Sequence, residues 1–184
     1  MKSHKHAISG QNINFKKITR EDLKILASWR NTKGIREYNN QFVLLNMIQQ
    51  KEWFEQINAK DSDRIMFMVT NKKNKPIGVC GLIHINKADK NADVAIILGE
   101  QKLHGKGLGS EILNMLVKYG FNHLRLHRIG AEIFSYNTIS VKLFKKLAFR
   151  HEATLRDALW RMGSWWNLYT FSLLKNEQTL IKHD

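Results

Sequence analysis

At 184 residues the chain matches one domain of ordinary size, long enough to bury a real core. One cysteine excludes a disulfide-held scaffold, and no apolar run approaches the roughly 20 residues of a membrane helix. Thirty Lys and Arg against 16 Asp and Glu leave a net charge of +14, a surface that draws in nucleic acid, a nucleotide cofactor, a nucleotide-sugar or an anionic membrane, or is simply soluble and basic.

The start, MKSHKHAISG, is positive but lacks the apolar stretch of a secretory leader, so a cytoplasmic protein is expected. NINFKKI, near residue 12, alternates and predicts a first strand. TREDLKILASWRN opens with Thr19, a helix-capping residue, has acids in its first turn, and places Leu23, Leu26 and Ala27 at helical spacing. LNMIQQKEWFEQI predicts a second helix with Met47, Ile48, Trp53, Phe54 and Ile57 as its apolar set. RIMFMVTN and PIGVCGLIHIN, separated by the turn-like NKKNK, read as a hairpin, and NADVAIILGE as a further antiparallel strand. Cys80, inside IGVCGLI, reads as a packing residue and not as a nucleophile.

QKLHGKGLGSEIL then packs Gly105, Gly107 and Gly109 against a helix whose face carries Leu108, Ile112, Met115, Leu116 and Tyr119. RIGAEIFS predicts a strand, NTISVKLFKKLAF a helix begun by Asn137, and WWNLYTFSLL a last strand. Antiparallel strands followed by a strand–helix–strand unit imply an α/β protein with a mixed sheet and helices packed on it. No linker or repeat interrupts the chain, so 1–184 is read as one domain.

Glycines at a helix entry let successive N–H groups converge where the helix is partially positive, and the natural guest is a phosphate or pyrophosphate. GKGLGS lacks the Gly-Lys-Ser/Thr ending of an ATP-binding P-loop, and its glycine spacing is not that of a dinucleotide fingerprint. A helix entry that merely needs glycine is the plainer alternative.

The ordered set does more. ADVAIIL, HGKGLG, HRIGAEIFSYNTISVKLFKKLAF and LRDALWRMGSWWNLYTFSLL together resemble the GNAT family of N-acetyltransferases from about residue 12 to 175. HGKGLG stands for that family's Arg/Gln-x-x-Gly-x-Gly/Ala signature, with His104 in the Arg/Gln place. The resemblance implies a mixed, mostly antiparallel sheet of about seven strands with helices on both faces and a splayed parallel pair holding acetyl-CoA. It implies backbone contacts to the pantetheine arm from Ile96, Ile97 and Leu98, and a pyrophosphate held by the N–H groups of His104, Gly105, Lys106, Gly107, Leu108, Gly109 and Ser110. Asn137 matches a cofactor-contacting Asn, a role compatible with capping. No metal is implied.

Acetyl transfer needs a base for the amine, N–H donors for the thioester oxygen and a route for the leaving thiolate. Asp93, in the place of the Glu that many relatives carry, is the expected base; His84 on the neighbouring strand is the alternative, and Glu132 reads as structural. The family's LYEKLGF reads LFKKLAF, so Phe144 replaces the usual acid Tyr, and Tyr136, a water or an unassisted thiolate takes its place. SWRNTKGIREYNNQF followed by EWFEQI is similar to acetyltransferases of UDP-linked amino sugars, which makes Arg30 and Arg36 candidate contacts for an anionic nucleotide-sugar.

Related members acetylate the N-termini of ribosomal proteins or polyamines; a +14 protein suits a polycation only with a locally acidic site. Trp160, Trp165, Trp166 and Tyr169 are expected to line the acceptor cleft, to form a homodimer face or to pack the core. A non-catalytic module binding CoA or nucleic acid is the contrasting reading, ranked lower because no RNA-binding motif is present.

Overall fold

The computed structural model describes residues 8–39 and 42–180. The basic start of the chain before residue 8, and Asn40 and Gln41 in the stretch compared with amino-sugar acetyltransferases, lie outside the described residues. The chain divides into two compact units, one reaching Ile83 and including Ala95–Leu116, the other holding His84–Val94 and the chain from Val117 onward.

The first unit begins with a two-residue strand β1 (Ile8–Ser9) paired antiparallel to β2 (Ile13–Lys17). A short 3-10 turn then leads into α1 (Leu23–Asn31). Thr19 holds this entry as expected, but through its neighbour. The Asp22 carboxylate accepts the Thr19 N–H at 2.9 Å and its hydroxyl at 3.0 Å, and also meets Lys16 Nζ at 3.2 Å. A single helical turn, α2 (Lys33–Arg36), follows. Next comes α3 (Met47–Asn58), whose capping residue Asn46 exchanges hydrogen bonds with Gln49. Strands β3 (Ile65–Asn71) and β4 (Pro76–Asn86) form the expected hairpin.

The core of this unit gathers Ile18, Leu23, Leu26, Trp29, Ile35, Phe54, Met68 and Val79, with Trp53, Ile57 and Ile97 against it. Leu23 and Leu26 of α1 and Trp53, Phe54 and Ile57 of α3 thus pack with Met68 of β3 and Val79 of β4 as the pattern requires, whereas Met47 and Ile48, counted in the apolar set of α3, are exposed on its first turn. Strand β5 (Asn91–Leu98) and helix α4 (Leu108–Asn122) run through both units, as does β4.

The second unit carries β6 (Arg128–Phe134), α5 (Thr138–Lys146), β7 (Arg150–Arg161) and β8 (Ser164–Leu174). Its buried side chains include Ile129, Ile133, Phe144, Phe149, Phe171 and Leu173. Hydrogen-bonded neighbours follow the order β1-β2-β3-β4-β5-β6-β8-β7. The β5–β6 pair is parallel and its ladder spans only Asn91↔Arg128 to Asp93↔Gly130, although both strands continue beyond it. The sheet thus has eight strands where about seven were expected. β1 and β7 are the strands without a sequence pattern: the first is two residues long, and nearly every β7 side chain is exposed, so no buried alternation marks it.

Candidate active site

The glycine segment lies in the first unit. Gly105 and Gly107 have φ of 75° and 78°, and a Cβ at either position would meet nothing within 4 Å. Backbone conformation, not crowding, demands glycine here, and the space beside the chain is open. The Gly107 carbonyl accepts the Glu111 N–H at 3.1 Å and so starts α4. The N–H groups of Leu108, Gly109 and Ser110 then have no partner within the helix, and α4 is 15 residues long, so its positive end is fully developed.

A carboxylate in this first turn would oppose an anion. Glu111 is the acid there, and its carboxylate is turned to Asn12, taking the backbone N–H at 2.8 Å and Nδ2 at 3.0 Å. His104, Gly105, Lys106 and Gly107 are exposed. Ile96, Ile97 and Leu98 are half-buried, and they follow the point where the parallel ladder ends.

Arg30 and Arg36 also belong to the first unit. The Arg30 guanidinium lies over the Trp53 ring at 5.7 Å from its centroid, and burial pushes its pKa down. Arg36 Nε is buried with no hydrogen-bond partner among the described residues. Gln50 on α3 is fully buried, and neither its amide oxygen nor its nitrogen has a partner among the described residues; as a polar residue on a helix it carried no sequence signal.

The second unit holds the acid–base candidates. His84 Nδ1 lies 3.0 Å from Asp93 Oδ2, so the two alternative bases form one pair. His84 sits inside β4 with φ of 51°, a left-handed conformation that costs a non-glycine residue about 1–2 kcal/mol. Gly130 stands beside Asp93 in the ladder, and a Cβ there would collide with Asp93 Oδ1. A glycine inside a strand pattern was the available signal for that close approach.

Arg128, two residues earlier on β6, donates to both oxygens of Glu152, one bond at 2.8 Å. Ser172 Oγ adds a third bond to Glu152 at 2.5 Å. Arg128 and then Ser172 hold the Glu152 carboxyl down to about 2, against the opposing effect of burial. Arg128 is raised in return, chiefly by Glu152, with a smaller contribution from the charge of Asp93.

Tyr136 packs on Phe134 at 5.5 Å and edge-on to Trp166 at 5.0 Å. Asn137 caps α5 as expected, its Oδ1 accepting the Ser140 N–H at 3.1 Å. Phe144 is buried against Phe149 and Phe171. The aromatic group divides: Trp160 and Trp165 are exposed and pair edge-to-face at 5.3 Å, while Trp166 and Tyr169 are half-buried. Cys80 is fully buried, and burial pushes its thiol well up. Among the described residues, no helix is long and apolar enough to cross a membrane.

A mixed sheet with one short parallel pair and a glycine-rich helix start makes this a mixed α/β fold with a ready anion site at the start of α4. The sequence model of the acetyltransferase (GNAT) domain family matches residues 12–150, and the chain belongs to that family as an N-acetyltransferase. It is 29% identical over 170 residues to the uncharacterized N-acetyltransferase p20 of Bacillus licheniformis, covering 91% of this chain and 95% of that one. It is 23% identical over 160 residues to a spermidine N(1)-acetyltransferase of Vibrio cholerae, covering 87% and 91%. The crystal structure of spermidine N-acetyltransferase from Vibrio cholerae in complex with CoA and spermine superposes with a TM-score of 0.84 at 22% identity, over 92% of this chain and 99% of that one. That likeness establishes the fold.

Proposed function

We propose that this chain transfers the acetyl group of acetyl-CoA directly to a primary amine on an acceptor that also carries an anionic group, the chemistry of a UDP-linked amino sugar. Acetyl-CoA supplies an activated acetyl thioester whose thiolate is the leaving group. The glycine segment fits such a donor: two left-handed glycines, open space beside them, helix N–H groups without internal partners, and a first-turn acid turned aside by Asn12. His104–Ser110 would hold the pyrophosphate and the backbone of Ile96–Leu98 the pantetheine arm. Asn137 would contact the donor through Nδ2, since its Oδ1 caps α5.

The observation that carries the acceptor reading is the pair of guanidinium groups at the ends of α1 and α2. Among the described residues Arg36 keeps a buried Nε without a partner, as a residue awaiting an anion would. A polyamine acceptor is the second reading, favoured by the activity named for the Vibrio cholerae relative. A polycation needs a locally acidic site, and the ends of α1 and α2 carry Arg30, Lys33 and Arg36 beside Glu37.

Phe144 donates no proton. A thiol with a pKa of about 8.5 leaves as thiolate with little help near neutral pH, and the Tyr136 hydroxyl or a water is the candidate donor. Cys80, buried and with its thiol raised, does not serve a covalent acetyl-enzyme route.

The test is CoA release from acetyl-CoA against UDP-linked amino sugars, N-terminal peptides of ribosomal proteins, and polyamines. Turnover of the nucleotide-sugars, with a raised acceptor KM in Arg36→Ala, is expected. Turnover of polyamines alone, untouched by Arg36→Ala, overturns the anionic acceptor.

A further inference from the structure

We infer that His84 and Asp93 work as one unit in which His84 Nε2 takes the proton of the acceptor ammonium and Asp93 is a positioning residue. The inference rests on the acetyl-transfer reading above and reverses the division of labour that the sequence favours.

Both oxygens of the Asp93 carboxylate have close neighbours. Its Oδ2 lies 3.0 Å from His84 Nδ1, and its Oδ1 fills the space left by the missing side chain of Gly130. The imidazole is the more open partner, with 61% of its side chain exposed against 40% for Asp93. A carboxylate at Nδ1 favours the tautomer with the proton on that nitrogen, which leaves the Nε2 lone pair outward. The left-handed φ of His84 inside β4 is a local strain of the kind that fixes a functional side chain in place.

The charged neighbours support the same assignment. Arg128 contributes a favourable charge to Asp93, yet its guanidinium fork is taken by Glu152, which Ser172 also binds. The Arg128 fork therefore leaves the Asp93 carboxylate to His84.

The balance of the step is simple. One ammonium proton goes to His84 Nε2 and on to water; the C–N bond forms as the C–S bond breaks; the second proton follows the electron pair to sulfur. Ammonium and thioester become amide, thiol and one released proton.

Two readouts test this. The first is the His84 tautomer, read by long-range proton–nitrogen NMR on the whole chain without ligands. The Nδ1-protonated form should dominate and should be lost in Asp93→Asn. The second is kinetic, with the best acceptor of the panel. His84→Gln should lower kcat/KM about 100-fold or more and remove the acidic limb of its pH profile. Added imidazole should partly restore His84→Ala but not Asp93→Asn, and the KM for acetyl-CoA should hold in all three.

An Asp93→Asn variant more damaged than His84→Gln, with the pH limb still present in the latter, overturns the assignment. So does a tautomer indifferent to Asp93→Asn. If no acceptor is turned over, the acetyl-transfer reading fails by itself, and the tautomer still decides whether the two residues are coupled.

Discussion

Gly130 stands beside Asp93 in the short parallel ladder, and the space its missing side chain leaves is filled by the Asp93 carboxylate. The contact is with the end of a half-exposed side chain, so an added methyl would push Asp93 aside without forcing the backbone. Gly130→Ala should therefore change stability by no more than about 1 kcal/mol, the usual scale for a glycine replacement where the backbone tolerates it. It should lower kcat by about tenfold to a hundredfold, because displaced catalytic geometry is expensive. Urea unfolding and steady-state CoA release on the same sample make the comparison. An active variant would show that the Asp93 position does not matter.

Gly107→Ala tests the donor cradle. The residue has φ of 78° and nothing near its Cβ position, so the loss is conformational, about 1–2 kcal/mol, and the new methyl enters the open space beside the loop. The KM for acetyl-CoA should rise about tenfold, while the acceptor KM stays put. Isothermal titration with CoA gives the same answer without an acceptor. Unchanged CoA affinity would remove the segment from the donor site.

Much of this was readable because the relevant chemistry is local. The glycines at 105 and 107, the Asn137 cap, the apolar face of α1 and the Trp53, Phe54 and Ile57 part of α3 each follow from spacing within one element. The pairing of His84 with Asp93 depends on cross-strand register, which a sequence shows only once the turn geometry is known. The left-handed turn of His84 is not legible from residue type, because in this chain Lys90, Arg125, Ala148 and Met162 share that conformation with the glycines. β7 was invisible for the opposite reason: a strand with little buried surface has no hydrophobic pattern.

Gln50 is fully buried, with both amide atoms unpaired among the described residues. An unpaired buried polar group costs about 1–3 kcal/mol, and leucine matches its volume closely. Gln50→Leu should raise the unfolding free energy by about 1–2 kcal/mol in urea titrations. A destabilised variant would mean that the amide finds a partner in solution, such as a buried water.

Cys80 is fully buried and burial raises its thiol, so the reactive thiolate is suppressed. Thiol reagents should modify it only when the chain is unfolded. Cys80→Ala should keep kcat within about twofold, at a stability loss of about 1 kcal/mol for the small void. A large fall in kcat from an otherwise stable variant would reopen a covalent route.

Glu152 sets an acid limit on stability. Its carboxyl is held at about 2 by the two bonds from Arg128 and the one from Ser172. The folded value lies below the unfolded value near ~4, so the group stabilises the fold above about pH 4 and loses that contribution as pH falls toward about 2. Both partners are more than one-third exposed, at 34% and 39%, so water and salt screen the pair and the effect is modest. Glu152→Gln should melt below the parent at about pH 6, and the two melting curves should converge as the parent is acidified through that window. Raising the salt concentration should shrink the gap at about pH 6. Parallel Tm–pH profiles across the whole window would mean that the Arg128–Glu152 fork contributes nothing to folding.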